Sequence, residues 1–236
     1  MLISHRYNFV FIKTVKTAGT SIEGLLEPFC CAPDHVVQHW TPTIVSDYGV
    51  VGRRWPQNDQ PDYGFYNHMH AAAIQSCLPN FATYTRITSV RDPYDRAISH
   101  FHFLHETLPP HGQMPLEEAI ALYTAGEAET LRAHFLRFIQ QCGYNESVML
   151  CIDGELAVDR WLRYEELTAD LEQLVADLQL PIDGSVATAL PRFKQNRFGR
   201  TDLPPVEAYL SPEAIAIINA RSPLSFSTFA YQRRDP

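Results

Sequence analysis

The hydrophobic positions of this chain form short solid runs alternating with helically spaced stretches. Phe9-Val10-Phe11-Ile12 lies within Tyr7–Thr14, which reads as a buried strand. After a polar stretch, Ile22, Leu25 and Leu26 recur on one helical face, predicting a helix over Thr20–Glu27. In Tyr84–Val90, Thr85, Ile87 and Ser89 alternate with Arg86, Thr88 and Val90 as in a strand. It runs into Arg91-Asp92-Pro93, where Pro93 suits the first turn of a helix reaching about His105. Helices are expected at Leu116–Tyr123 and Ala128–Gln140, strands at Val148–Ile152 and Arg160–Tyr164, and an amphipathic helix over Leu167–Leu178. Ser211-Pro212-Glu213 opens a last helix through Asn219. Residues 31–64 are rich in Pro, Gly, Asp and aromatics without a sustained period. They read as an irregular lid or substrate loop with one short strand at Thr43–Ser46. Alternating strand, loop and helix implies an α/β fold with a mainly parallel sheet, whose ligands collect at the carboxyl ends of the strands. The Lys16 loop and the Arg91 turn both belong there.

Bulk properties narrow the partners. A length of 236 residues fits one domain spanning 1–236. The formal charge, 19 − 27 = −8, argues against nucleic-acid binding through a broadly basic surface but leaves room for a local basic site. The first residues turn polar at once, unlike a signal peptide, and no apolar run approaches the length of a membrane span. Cys30, Cys31, Cys77, Cys142 and Cys151 are odd in number and lack CxxC spacing. They read as reduced thiols, with a cytoplasmic location expected.

Lys16-Thr17-Ala18-Gly19-Thr20-Ser21 carries the first chemical signal. A strand–loop–helix junction brings unpaired N–H groups, the positive end of the helix dipole and a lysine to one place suited to phosphate. Lys16 precedes the only glycine, so the segment is not a Walker A loop. The second signal is Arg91-Asp92-Pro93-Tyr94-Asp95-Arg96-Ala97-Ile98-Ser99. A guanidinium with a nearby hydroxyl, from Arg91 or Arg96 with Ser99, can receive a second phosphate. Arginine pairing with Asp92 or Asp95 on the surface is the plainer alternative.

The two segments in this order resemble the nucleotide-binding elements of the sulfotransferase superfamily that uses 3′-phosphoadenosine 5′-phosphosulfate (PAPS). Lys16–Ser21 is similar to the family's PKTxGTS loop for the 5′-phosphosulfate, with Val15 in place of the usual proline. Arg91 and Ser99, eight positions apart, resemble its 3′-phosphate site. Trp161-Leu162-Arg163-Tyr164-Glu165-Glu166-Leu167 is close to the family's late (L/V)RYE(D/E)L segment, which brings in Arg163. The region from Tyr209 to Tyr231 resembles the closing helix of the glycan-directed, uronyl 2-O branch. The resemblance implies a P-loop-like three-layer α/β fold with a central mainly parallel sheet flanked by helices. It also implies sulfuryl transfer from PAPS, without a metal, to an acceptor hydroxyl on a carbohydrate or glycolipid.

Phe65-Tyr66-Asn67-His68-Met69-His70 is similar to a Tyr-His-x-His segment that supplies the base in the uronyl branch. On that resemblance His70 is the base and His68 its neighbour or a substrate contact. An imidazole titrates in the range such a proton transfer needs. A structural pair or a metal site are the alternatives, although no further ligand stands beside the pair in sequence. His100, His102 and His105 read as structural. Arg192, Lys194, Arg197 and Arg200, interleaved with Phe193 and Phe198, form either a solvated basic loop or a closure over the nucleotide through Lys194 and Arg197. In the implied scheme Lys16 stabilises the leaving group, Thr17 to Ser21 hold the 5′-phosphate, and Arg91 and Ser99 hold the 3′-phosphate. The rivals are a small-metabolite kinase, which would need a Mg²⁺-binding carboxylate and normally a GK[ST] loop, and a non-catalytic nucleotide-binding relative.

Overall fold

A computed structural model describes residues 1–54, 64–107, 126, 128–191 and 203–236. In chain order the elements are β1 (Leu2–Ser4), β2 (Phe9–Ile12), α1 (Gly19–Leu26), β3 (Ile44–Ser46), β4 (Gly49–Val51), α2 (Ala71–Cys77), β5 (Thr85–Val90) and α3 (Pro93–Thr107). They continue with α4 (Ala128–Gln141), α5 (Glu146–Leu150), β6 (Cys151–Ile152), β7 (Glu155–Leu156), β8 (Arg160–Arg163), α6 (Leu167–Asp177), α7 (Val186–Ala189), α8 (Pro212–Arg221) and α9 (Pro223–Ser227). The expected helix at Leu116–Tyr123 lies outside the described residues. No described helix is long and apolar enough to cross a membrane.

The chain divides into two compact units. The first takes in the described residues of Met1–Val90 and Val148–Gln195, the second those of Arg91–Ser147 and Asn196–Pro236. The first unit holds a six-stranded sheet of order β3-β4-β1-β2-β5-β8. β2, β5 and β8 are mutually parallel, with Phe11 opposite Ile87 and Val90 opposite Arg163. β1 and β3 run the other way, so four of the six strands share one direction. On one face Leu2, Phe9, Phe11, Val51, Ile87 and Leu162 pack against Ile22, Leu25 and Leu26 of α1 and Leu171 and Leu174 of α6. Ile3, Val10, Ile12, Val50 and Val90, which alternate with them, are buried too, so both faces of the sheet are covered. Eight residues are too few for a stable isolated helix, but burying each of these large side chains contributes about 1.5–3 kcal/mol and holds α1 in place.

Three elements differ from the sequence reading. The strand expected over Tyr7–Thr14 is present as β2, shortened to Phe9–Ile12, and it pairs in a hairpin with β1, which the sequence reading did not expect; the chain turns between them with Asn8 in the left-handed region (φ 49°). The excursion at 31–64 contributes a second hairpin, β3–β4, to the sheet edge, where one strand was expected. Val148–Ile152, expected as a strand, is helical through Leu150 and extended only at Cys151–Ile152. Its apolar run imitates a strand, but a helix buries Met149 and Leu150 while leaving Val148 outside.

In the second unit α3, α4 and α8 pack around Tyr94, Phe101, Leu131, Phe135, Phe138 and Ile218. Asp92 starts α3 as its cap, Oδ1 accepting from the N–H groups of Tyr94 (2.9 Å) and Asp95 (3.0 Å). Ser211 caps α8 through the N–H of Ala214.

Candidate functional site

The loop between β2 and α1 leaves the carboxyl end of a parallel strand and has unusual backbone conformations. Lys16 (φ 62°) and Ala18 (φ 61°) are left-handed, whereas Thr17 between them and Gly19 after them are not. Such alternation curls successive N–H groups toward one point, an anion-binding nest. The first helical N–H groups bonded back to the chain are those of Ser21 (2.9 Å) and Ile22 (3.2 Å), both to the carbonyl of Ala18. Gly19 and Thr20 precede them, at the end of the helix where N–H groups have no intrahelical acceptor. No side chain caps this terminus and no acidic residue lies in the first turn. The dipole therefore faces whatever anion enters. Left-handed non-glycine residues store strain, and such strain gathers at functional sites.

What holds the strained loop in place lies beneath it. The Thr17 hydroxyl is buried and meets Ser89 Oγ at 2.7 Å and Thr14 Oγ1 at 2.9 Å. That hydroxyl ties the loop to β5. Lys13, buried at the start of the loop, extends its ammonium to Glu23 Oε2 at 2.6 Å. Glu23 Oε1 receives the Met1 ammonium at 2.6 Å, and Arg54 Nη1 lies 3.8 Å from Oε2. Glu27, one turn on, is met by Arg54 Nη2 and by His35 Nε2 at 2.6 Å. Burial works against the Glu23 charge, but the surrounding cations prevail and hold its carboxyl down at about 2. Burial in turn lowers the ammonium groups of Lys13 and Met1, against the attraction of Glu23.

The two histidines differ in their surroundings. His68 is itself left-handed (φ 56°), and its Nδ1 lies 3.2 Å from the carbonyl of Lys13. A carbonyl only accepts, so the proton sits on Nδ1 and the lone pair on Nε2. Burial, then the charges of Lys13 and Met1, push the His68 imidazole down to about 3, so the ring is neutral near pH 7. His70 stands at the N-terminus of α2, and its side chain forms no cap bond. The adjacent Tyr66 is exposed, and the carbonyl of Phe65 accepts from Thr43 Oγ1 at 3.0 Å.

Arg163 ends β8 opposite Val90, the residue just ahead of Arg91, and its N–H is held by Asp170 Oδ2 at 2.6 Å. In the second unit Arg91 and Ser99 are both partly buried. Arg96 is committed elsewhere, donating to Glu146 Oε1 (2.8 Å), Tyr144 Oη (2.9 Å) and Ser222 Oγ (2.9 Å). Glu146 also accepts from the N–H of Ser225 at 2.8 Å. Of the two arginines the sequence offered for a phosphate, Arg96 is thus a structural strut. His102 is a buried partner of the Tyr209 hydroxyl (2.9 Å), and His100 Nδ1 lies 3.6 Å from Cys142 Sγ. Lys194 and Arg197, with Arg192 and Arg200, fall outside the described residues, as does the side chain of His105. No group of three or more metal-ligating side chains gathers among the described residues.

Lys13, Thr14, Glu23 and Ser89 were missed by sequence reading. The only trace was a charged Glu23 on the apolar face of α1, which spacing cannot connect to Lys13.

The family model described as "Sulfotransferase family" matches residues 1–232. Comparison with curated proteins and with solved structures found no match.

Proposed function

The chain belongs to the sulfotransferase family, and from that premise we propose that it moves the sulfuryl group of PAPS to a carbohydrate hydroxyl. The observation that carries this reading is the Lys16–Ser21 nest at the uncapped start of α1. Its N–H groups suit a 5′-phosphosulfate, and the Thr20 and Ser21 hydroxyls stand beside them. Lys16 is assigned to the bridging oxygen, where negative charge grows as the S–O bond to the leaving phosphate breaks. Arg91 and Ser99 are assigned to the 3′-phosphate, and Arg163 to the nucleotide. A P-loop-like arrangement of the parallel strands accords with these roles.

The base we assign is His68 rather than His70, because the Lys13 carbonyl leaves His68 Nε2 free to accept. The acceptor oxygen forms the new S–O bond as its proton passes to that nitrogen. A ring held near 3 is a weak base; in the proposed scheme the negative charge of a bound donor would raise it. The lysine and helix terminus supply positive charge without requiring a metal. The free cysteines support a reducing, cytoplasmic setting.

Calorimetry with adenosine 3′,5′-bisphosphate, ADP and AMP tests the donor assignment. The bisphosphate should bind tightest; tighter binding of ADP would sink it in favour of a kinase. Transfer of radiolabelled sulfate from PAPS to a panel of glycans, glycolipids and small alcohols then tests the acceptor class.

A further inference from the structure

Lys13 lies three positions ahead of Lys16, and the scheme above uses its carbonyl but gives its buried side chain no part. Its side chain passes over Gly19, where an added Cβ would meet Lys13 Cγ at 2.7 Å, and ends on Glu23. Gly19 and Glu23 are one helical turn apart on the same face, so the stem bridges them. The carbonyl of the same residue accepts from His68 Nδ1. Lys13 thereby touches the loop glycine, the first helix and the assigned base. A buried ion pair is a poor device for stability alone, since an apolar residue of similar size often serves as well. The contacts of this pair with Gly19 and α1 suit it to a role in geometry.

We propose that the buried Lys13–Glu23 pair is a positioning device for the transfer site, fixing the Gly19 turn on one side and the Nδ1–H tautomer of His68 on the other. The inference rests on the sulfotransferase reading. Anchored at Glu23, the Lys13 side chain restrains the Cα to which the carbonyl that orients the imidazole is attached. Neither residue touches substrate; both act through the groups they hold.

Lys13→Met keeps most of the stem and removes the ammonium. Glu23 retains the Met1 ammonium at 2.6 Å and Arg54 at 3.8 Å, so its charge stays compensated. On folded protein kcat is expected to fall about tenfold to a hundredfold, with acceptor KM within about twofold, as for a misplaced catalytic group. The ¹⁵N imidazole spectrum should change from one Nδ1–H tautomer of His68 to a mixture. Leu174→Ala, a buried truncation on α6, controls for lost stability and should leave kcat per folded molecule unchanged. Wild-type kcat and an unaltered His68 spectrum in Lys13→Met would overturn the proposal, and so would a fall in kcat with the tautomer intact. If wild-type protein transfers no sulfate while the spectrum still responds to Lys13→Met, the sulfotransferase reading fails and the positioning role stands.

Discussion

Replacing Glu23 by Gln tests the electrostatics beneath the loop. The carboxylate is fully buried and pairs with the Met1 and Lys13 ammonium groups, each at 2.6 Å. Its proton affinity falls from 4.5 in the unfolded chain to about 2 in the fold. That depression, at about 1.4 kcal/mol per unit, corresponds to roughly 3 kcal/mol of stability in the ionised form. Breaking a buried pair independently suggests about 3–5 kcal/mol, because the cations left behind stay desolvated. Because the folded value is lowered, this stability is present above pH 4.5 and is lost as pH falls toward 2. Urea unfolding followed by tryptophan fluorescence, in pH steps from 7 downward, measures the difference between wild type and Glu23→Gln. That difference should be about 3 kcal/mol at neutral pH, flat to about pH 5, and should shrink below it. A difference under about 1 kcal/mol at pH 7, or one independent of pH through the acid range, would refute the reasoning.

Four further outcomes follow from the same geometry. Gly19→Ala pushes a Cβ to 2.7 Å from the Lys13 stem and should weaken adenosine 3′,5′-bisphosphate binding about tenfold or more by calorimetry. Undiminished affinity would show that the loop yields freely. His68→Ala should lower kcat about 10²- to 10⁴-fold with bisphosphate binding intact, whereas His70→Ala should cost far less; the reverse order would return the base to His70. Lys16→Met should reduce kcat about 10²- to 10³-fold through lost leaving-group stabilisation, and a change confined to KM contradicts that role. Arg96→Met should destabilise the second unit by about 3–5 kcal/mol by stranding Glu146, read as a lowered thermal midpoint; a large loss of nucleotide affinity at unchanged stability would return Arg96 to the phosphate site.

The alternation of apolar runs with helical spacing determined most of the element order, because each element buries a face of its own and writes that period locally. It also determined where the phosphate loop lies, since a strand passing through lysine and glycine into a helix is a contiguous pattern. Tertiary structure alone decided the pairing of β1 with β2 and of β3 with β4, because the three-residue strands β1, β3 and β4 are too short to show a period. It alone showed what Arg96 does, since Glu146, Tyr144 and Ser222 claim its guanidinium, while the resemblance in sequence had already pointed to Arg91 for the 3′-phosphate. The resemblance in sequence named His70 as the base and His68 as its neighbour, whereas the contact of His68 with the Lys13 carbonyl, 55 positions away, is a feature only the fold could supply. Burial and charge pairing depend on residues brought together by the fold rather than by the chain. A sequence can therefore announce that an anion site exists while leaving unsaid what holds it in shape.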